Sequence, residues 1–392
     1  MKKCWLLCLL LTGCATSEDP KRKSEWADLD EAESVNCAYW PIQKQDLALN
    51  ELITAGEPVA EGLVASMRMR NSSVGFYYAP FGGKVKLDPA DFRKLDFGRG
   101  ALPIGGIRMH GKLLIAVVQH RQSRSVLELR SVETNAVLST VEPLPGPVVS
   151  GAIFPVEGGF WLSLKHHEQS SSIGFVGLDS AFAAKPIWYA GLKLEFNPTI
   201  LPIHKSADAI AVLFNAVAAG RGRKDVFSIV KVSRNGSFSD PKALTVKIDA
   251  EVESYSAIGF NGHYYLAYID GDSMVGQAKI RTAKFSWADS PVIIGEDSRS
   301  LGDAHVSEPL WLLSENSIFV GILKWVDEES TFATYKLAQS KITGSKSSGV
   351  FAKGSRIIDR FQSKNGQNFL VVRARDNEIW RYRLCQLKGL HH

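Results

Sequence analysis

The residues in this chain that are best suited to chemistry stand in short, isolated groups. His166, His167 and Glu168 are consecutive, and imidazole and carboxylate groups are the ligands that zinc accepts. Adjacent residues on an extended chain point to opposite faces, so three neighbours do not readily converge on one ion. This spacing therefore favours a solvated turn over a metal site.

The second group, Asp270-Gly271-Asp272, places two carboxylates around a glycine. A calcium loop needs further oxygen ligands, which are missing here, so a tight turn is the simpler prediction. His263 follows an Asn-Gly pair and is predicted to pack at the start of a strand. The sequence has no serine nucleophile elbow, phosphate loop or paired-cysteine zinc motif. We predict no catalytic residue, no metal site and no cofactor.

The elements that must position these groups are strands. Short runs rich in Val, Ile, Phe, Tyr and Trp alternate with clusters of Gly, Asn, Asp and Ser. One apolar run recurs roughly every fifty residues, which is a repeat length of propellers. Its copies are Leu63–Met69, Lys112–Gln119, Gly159–Lys165, Ala209–Asn215, His263–Ile269, Ser317–Lys324 and Asn368–Ala374.

Each copy is followed by a polar hairpin and another strand, and weaker strands flank many of these pairs. Four antiparallel strands per repeat are typical of a propeller blade. The sequence therefore predicts an all-β fold, a β-propeller of seven four-stranded blades. The segment Val35–Ile42 reads as a strand without a partner, and placing it in the last blade would close the ring and remove an exposed sheet edge. A pair of β-sandwiches is the competing fold.

In a propeller, the hairpins between second and third strands share one face with the links between blades. Many of these hairpins are basic, and those of the fifth and sixth repeats are acidic, with Asp270, Asp272, Asp327, Glu328 and Glu329. One interpretation is a docking face for a protein or an anionic glycan; the alternative is that hairpin tips are charged because they are solvated. The candidate binding residues are Arg121, Arg124, Arg221, Arg223, Lys224 and Arg375.

The start of the chain has the pattern of an export signal. Lys2 and Lys3 precede a short apolar run that ends in the four residues Leu11 to Cys14, Leu-Thr-Gly-Cys, as in a secretory signal. This box resembles the bacterial lipoprotein signal, in which the cysteine is lipidated and becomes the first mature residue. The resemblance implies a signal peptide over residues 1–13 and lipid attached to Cys14. Ala15 after the cysteine implies sorting to the outer membrane.

Residues 14–34 are polar and mixed in charge, so we expect a flexible tether, followed by one propeller domain over 35–392. After removal of the signal, Cys37 and Cys385 remain besides the lipidated cysteine. In an oxidising compartment they are expected to form a disulfide, with two separate buried thiols as the alternative. Such a bond would close a loop of some 350 residues, which stabilises a fold by roughly 5 kcal/mol in the chain-entropy model.

A further resemblance concerns the string Ser233 to Pro241, SRNGSFSDP. It looks like a degenerate Asp box, the hairpin turn of sialidase-type propellers, with Asn235 in place of aspartate and Phe238 in place of tryptophan. The box is structural in that family, and the arginine motif of sialidases is missing. The resemblance therefore implies a propeller fold rather than hydrolase activity.

The formal net charge of +5 falls to +3 when Lys2 and Lys3 leave with the signal, which argues against nucleic acid as a partner. We therefore expect a monomeric, lipid-anchored propeller of the cell envelope that binds or scaffolds protein or glycan partners. The alternative is a propeller hydrolase or lyase acting on an envelope glycan. Carboxylates with a raised pKa around the central channel would favour that alternative.

Overall fold

The computed structural model describes most of the chain after its first 35 residues. The described residues are 36–39, 47–55, 62–69, 74–80, 93–98, 100–121, 124–144, 147–156, 158–166, 171–178, 188–192, 199–202, 209–217, 225–235, 237–273, 276–287, 290–302, 304–314, 317–326, 329–352, 355–362, 368–376 and 379–387. Every regular element within them is a strand. The fold is all-β.

The strands form seven antiparallel sheets, which we number in chain order. Sheet 1 contains β2 (Leu47–Ala55), β3 (Gly62–Met69), β4 (Val74–Pro80) and β5 (Arg93–Leu95). Sheet 2 contains β6 (Ala101–Met109), β7 (Lys112–Arg121), β8 (Arg124–Ser131) and β9 (Val137–Leu144). Sheet 3 contains β10 (Val148–Val156), β11 (Gly159–His166), β12 (Ser171–Gly177) and β13 (Trp188–Leu192).

Sheet 4 contains β14 (Thr199–Pro202), β15 (Ala209–Val217), β16 (Asp225–Ser233) and β17 (Lys242–Leu244). Sheet 5 contains β18 (Val252–Phe260), β19 (His263–Asp270), β20 (Lys279–Trp287) and β21 (Pro291–Ser300). Sheet 6 contains β22 (His305–Val306), β23 (Leu310–Ser314), β24 (Ser317–Val326), β25 (Glu329–Ala338) and β26 (Lys341–Ala352). Sheet 7 contains β27 (Arg356–Gln362), β28 (Asn368–Asp376), β29 (Ile379–Gln386) and β1 (Asn36–Tyr39).

The repeated apolar run is the second strand of every sheet. β3, β7, β11, β15, β19, β24 and β28 begin and end within two residues of the predicted copies. The turn before β19 shows the local cause: Asn261 and Gly262 have φ angles of 47° and 78°. An Asn-Gly pair with positive φ forms a two-residue hairpin whose twist matches that of the strands it joins. His263 therefore begins β19, as the sequence predicts.

The second strands are apolar because both of their faces are buried. In β7, Leu113, Ile115 and Val117 pack in a cluster shared with sheet 1. Their neighbours Leu114, Ala116 and Val118 pack in a cluster shared with sheet 3. A strand covered on both sides reads as a continuous apolar run, and full burial of each Leu or Ile contributes roughly 1.5–3 kcal/mol before entropy is counted.

Such clusters lie between every pair of consecutive sheets from sheet 1 to sheet 7. In addition, β2 of sheet 1 lies next to β27 of sheet 7. The N-terminal strand β1 pairs with β29, so the described part of the chain begins and ends in the same sheet. The predicted pairing of this segment with the last repeat is confirmed.

Five of the first strands share a bulge near their starts. The register shifts between Leu49/Glu51, Pro103/Gly105, Val148/Ser150, Val252/Ser254 and Ile357/Asp359. In sheet 6 the interruption is longer, because β22 and β23 both pair with β24. A bulge bends a strand and redirects a side chain.

First strands of neighbouring sheets also approach closely. A Cβ atom on Gly105 of β6 would lie 2.5 Å from Cγ2 of Ile153 in β10. One on Gly151 would lie 2.8 Å from Cγ2 of Ile104. Small residues are required here because side chains on these backbones would collide.

Candidate functional site

In each sheet the first strand begins at the edge where the second strand ends. The hairpin to the third strand lies at that edge too, and we call it the hairpin end of the sheet. In sheet 2, for example, Ala101 at the start of β6 pairs with Gln119 near the end of β7, and the hairpin follows at Arg121 and Arg124.

One position near the hairpin end carries a buried polar side chain in four sheets. We call it the rim position: the eighth residue of the second strand, which pairs with a residue at the start of the first strand. Its members are Gln119, His166, Asp270 and Lys324, which pair with Ala101, Val148, Val252 and Val306 and are 6%, 8%, 2% and 8% exposed. Strand alternation turns all four toward the preceding sheet.

In sheets 2 and 3 the side chain at the rim position is an amide or an imidazole. The Gln119 side chain donates a hydrogen bond to the carbonyl of Phe97, in the segment that leads into β6. His166 Nε2 lies 2.8 Å from Ser172 Oγ. Burial lowers the pKa of His166, an effect that the backbone of Pro147 opposes. Gln119 therefore holds the segment that leads into its own sheet, whereas His166 joins β11 to β12.

Sheet 5 has an ionised group at the rim position. The Asp270 carboxylate accepts hydrogen bonds from the backbone N–H groups of Asp249 and Ala250, both at 2.9 Å. It also accepts one from the guanidinium of Arg281. The Asp270 side chain is 1% exposed and that of Arg281 is 7% exposed. A buried charge needs such partners, so this ion pair fixes the connection between sheets 4 and 5.

The same guanidinium extends the network toward solvent. Arg281 also donates to Asp249, and Lys279 Nζ lies 3.0 Å from the same carboxylate. The hydrogen bond from Lys279, together with the charges of Arg281, Lys247 and Lys279, lowers the pKa of Asp249, against a smaller effect of burial. A general acid needs a raised carboxyl pKa, so the shift at Asp249 is in the opposite direction.

The bulge of β18 brings one more carboxylate into this region. Glu253 is the extra residue of the bulge. Its side chain accepts hydrogen bonds from Ser273 N at 3.2 Å and from Ser273 Oγ at 2.9 Å. Glu253 therefore holds the loop that follows β19.

At the rim position of sheet 6 stands a buried cation. Lys324 Nζ lies 5.7 Å from the centre of the Tyr335 ring, and Cζ of the exposed Arg299 lies 5.8 Å from the same ring. Burial and the charge of Arg299 lower the pKa of Lys324 to about 8. Burial raises the pKa of Tyr335, so this phenol stays neutral. The ring belongs to sheet 6, and Arg299 comes from β21 of sheet 5.

Comparison with solved structures places this arrangement among known folds. The chain is similar to hydrazine synthase of Kuenenia stuttgartiensis, with a TM-score of 0.52 and 8% identity over 85% of this chain and 96% of that one. It is also similar to the tricorn protease, with a TM-score of 0.51 and 10% identity over 88% of this chain. The likeness is one of fold.

The tricorn protease is a propeller protein, so the likeness supports a β-propeller fold for this chain. The match spans only 34% of the tricorn chain. No protein-family model matches the sequence, and no curated protein matches it.

Three of the six predicted binding residues are described, and these three lie at hairpin ends. Arg121 and Arg124 are register partners that close the β7–β8 hairpin. Arg375 pairs with Trp380 near the end of β28. Arg221, Arg223 and Lys224 fall between β15 and β16, outside the described residues.

Two predictions about the chemical groups are wrong in part. His166 was expected in a solvated turn with His167 and Glu168, but it ends β11 and is buried; the other two lie outside the described residues. Asp270 was expected in an exposed acidic hairpin. It is instead the last residue of β19 and is paired with Arg281, so only Asp272 of this turn is exposed. In both cases the strand extends further than its apolar residues indicate.

The string SRNGSFSDP does form a turn. Asn235 Oδ1 accepts hydrogen bonds from Ser237 N at 3.0 Å and Ser237 Oγ at 2.7 Å. Phe238, which was matched to the tryptophan of the Asp box, bridges to Val232 through its backbone and is 40% exposed. Its ring is therefore not a core residue.

The two cysteines of the domain meet in the sheet that contains both ends of the described chain. Cys37 of β1 is the direct register partner of Cys385 in β29. Cys385 is fully buried and disulfide-bonded. Cys14 lies outside the described residues.

Over the described part of the chain, no group of three or more His, Cys, Asp or Glu residues is placed to hold a metal ion. Within the same residues there is no helix long and apolar enough to cross a membrane.

The sequence interpretation missed four residues that organise the hairpin ends: Gln119, Glu253, Arg281 and Lys324. All four rim residues had a signal. Alignment of the seven repeated strands places Gln119, His166, Asp270 and Lys324 at one position, at the end of the predicted apolar run or one residue beyond it. Arg281 had none, because its partner Asp270 was interpreted as a turn residue.

Proposed function

We propose that this chain folds as a closed propeller of seven blades, each corresponding to one of the sheets. Three observations support closure: apolar clusters join consecutive sheets, β2 lies next to β27, and β1 completes the sheet of β27, β28 and β29. Radial repetition of this kind leaves only short, protected sheet edges.

We further propose that the propeller is a lipid-anchored binding or scaffold module of the cell envelope, attached through Cys14 and docking protein or glycan partners on its hairpin ends. The support for the anchor is the lipoprotein box. Two or more acyl chains attach a protein stably to a bilayer. In this proposal, residues 14–34 are the spacer between membrane and propeller.

One observation carries the binding proposal: buried polar side chains hold the segments that lead into the sheets at their hairpin ends. Gln119 and Asp270 each bond backbone groups of such a segment. A surface held in this way is preformed, and preorganisation reduces the entropy lost when a partner binds. The charged hairpins would then steer and select that partner.

The test is capture of partners from the native envelope by the intact protein. Replacement of Arg221, Arg223 and Lys224 by serine should leave the melting temperature nearly unchanged, because exposed substitutions cost within about 0.5 kcal/mol. Partner capture should fall, and the association rate should lose salt dependence, because steering is screened over about 8 Å at physiological ionic strength. A folded variant that captures the same partners with the same salt dependence would refute the docking face.

The anchor is tested separately. Cys14→Ala should abolish incorporation of labelled palmitate and release the protein from membranes. The matched control is Cys8→Ala, which lies within the proposed signal and should leave labelling intact. Palmitate labelling of Cys14→Ala at the normal level would overturn the lipoprotein assignment without bearing on the fold.

A further inference from the structure

The exposed apolar side chains of this protein are concentrated at one end of its sheets. We call the end of each sheet that lies away from its hairpin end the far end; the fourth strand of a sheet begins there. Among the described residues, five large apolar side chains are exposed, and four of them lie at far ends: Val137, Phe238, Val292 and Ile294. The fifth, Val149, is near the start of β10 and so lies at a hairpin end.

Strand register gives these positions. Val137 and Val292 pair with residues near the ends of β8 and β20, which run from the hairpin end to the far end. Phe238 lies in the turn that follows β16. Ile294 is the extra residue of a bulge in β21, opposite the step from Lys284 to Phe285. A bulge redirects the side chain that it adds.

Three of these side chains lie on neighbouring sheets. Phe238 precedes β17 of sheet 4, Val292 and Ile294 belong to β21 of sheet 5, and β17 lies next to β21. The three are 40%, 58% and 49% exposed, respectively. Ile293, between the last two, packs against the core cluster of sheets 4 and 5, so burial in the core does not explain why its neighbours are apolar. A single exposed apolar side chain is ordinary, whereas a group of them marks an interaction site.

The N-terminal segment leaves the domain at a far end too. Asn36, the first residue of β1, pairs with Gln386 at the end of β29, the third strand of sheet 7. In the ring of seven sheets proposed above, all far ends share one face. Asn36 follows Cys14 by 22 residues, and a chain of that length spans at most roughly 80 Å. The proposed anchor therefore favours an orientation in which the far ends face the bilayer.

We propose that Phe238, Val292 and Ile294 contact the lipid bilayer to which the chain is anchored, with the hairpin ends turned away from it. This inference rests on the proposed anchor at Cys14. Membrane binding of an apolar surface increases with the apolar area that enters the boundary between headgroups and acyl chains. The tether keeps the patch at a high effective concentration near the bilayer, so a weak contact is sufficient. The hairpin ends then face the aqueous side, where a docking partner can reach them.

The experiment compares the two ends of sheet 5 in the lipidated protein, purified from membranes and reconstituted in vesicles of phosphatidylethanolamine and phosphatidylglycerol. A fluorophore is attached to one introduced cysteine, Ser290→Cys at the far end or Gln277→Cys at the hairpin end; both positions are exposed. Cys385 is disulfide-bonded and Cys14 is lipidated in the proposal, so the introduced thiol is the reactive one. Spin-labelled phosphatidylcholine in the vesicles should quench the fluorophore strongly at the far end and weakly at the hairpin end.

A second measurement separates the patch from the tether. Replacement of Phe238, Val292 and Ile294 by serine, with the fluorophore still at Ser290→Cys, should lower the quenching toward the level seen at the hairpin end. The tether is unchanged in this variant, whereas the apolar contact is lost. Val149→Ser, at the exposed valine of a hairpin end, is the matched control and should leave the quenching unchanged.

Equal quenching at the two labelled positions would overturn the inference and leave the anchor intact, as would strong quenching that survives the triple substitution. A protein that does not float with the vesicles would refute the anchor and this inference together. A fluorophore at Ser290→Cys that is unquenched on vesicles and becomes shielded in detergent as the protein concentration rises would assign the patch to an interface between copies of this chain, and the inference would be wrong.

Discussion

Sheets 5 and 6 place opposite charges at the same position of the same strand. Asp270 lies among partners of its own chain: two backbone N–H groups and a buried arginine. Lys324 lies against a neutral ring beside a second cation. The backbone is repeated, whereas the electrostatic environment is not. The rim position is therefore set by the repeated backbone, whereas the charge of the side chain at that position differs from sheet to sheet.

The two sites should respond oppositely to removal of their charge. Breaking a satisfied buried pair leaves one charge without compensation, whereas removal of a charge whose pKa is lowered by burial relieves a desolvation penalty.

Asp270→Ala should be the most damaging substitution at the rim position. It removes the acceptor of two backbone N–H groups and leaves Arg281 buried with only the half-exposed Asp249 as counter-ion. Loss of one partner of a buried pair costs about 3–5 kcal/mol, which denaturant unfolding measures. Asp272→Ala, at an exposed position two residues away, is the control and should cost less than about 0.5 kcal/mol. Equal unfolding midpoints for the two variants would show that the Asp270 network contributes no stability.

Lys324→Met should have the opposite sign and depend on pH. The pKa of Lys324 is about 8 in the folded protein and 10.5 ordinarily. Between these values the unfolded chain binds more protons, so the stability of the wild type rises with pH through this window. Below pH 8 both states are protonated and the full penalty remains. The variant lacks this group and should be more stable than the wild type at pH 7.

The advantage of Lys324→Met should shrink by about 2 kcal/mol between pH 7.5 and pH 10. Urea unfolding of both proteins across this range measures the difference, in which the titrations of all other groups largely cancel. Parallel pH profiles would mean that burial does not lower the pKa of this ammonium group in the folded state, and the contrast between sheets 5 and 6 would fail.

Much of this framework could be predicted from the sequence. The second strands are buried on both faces, so each is an apolar run of the kind that a repeat search detects, and their bounds agree with the predicted ones. The cysteines indicated that β1 lies beside β29. A single sequence displays hydrophobic periodicity and residue spacing directly, so these features could be predicted.

The electrostatic pairs could not be predicted in the same way. Asp270 and Arg281 are brought together by a hairpin register, and Arg299 contacts Tyr335 of the neighbouring sheet. An aspartate next to glycine is also an ordinary turn signal, so local chemistry pointed away from burial. The bulges of the first strands were missed as well, because one extra residue leaves no mark on a weak apolar pattern.

Gln119 is an uncharged residue at the rim position, so Gln119→Leu should destabilise the fold less than Asp270→Ala does. The amide donates to the carbonyl of Phe97, and an apolar side chain of similar size would leave that carbonyl without this donor. Loss of a buried hydrogen bond typically costs about 1–2 kcal/mol, measurable as a lower unfolding midpoint. Gln277→Leu, at an exposed position, provides the control. If the two variants were equally stable, the rim position would have no role in holding the connecting segments.

The smallest expected change in stability is that of Arg299→Gln, which nevertheless gives the sharpest test of the cation pair. Arg299 is exposed, so its replacement should alter the unfolding free energy by less than about 0.5 kcal/mol. Its charge is one of the two causes that lower the pKa of Lys324, and removal of that charge should raise this pKa toward its ordinary value while burial still holds it below.

Nuclear magnetic resonance of the lysine ε-methylene groups during a pH titration reports this pKa in the folded protein. Lys284→Gln is the matched control, because Lys284 lies over Tyr265 in the same sheet as Arg299 and is not among the causes that act on Lys324. An unchanged pKa in Arg299→Gln would mean that solvent screens the guanidinium from the ammonium group. The two cations would then be independent surface contacts of Tyr335, and sheet 6 would differ from sheet 5 only in the burial of one lysine.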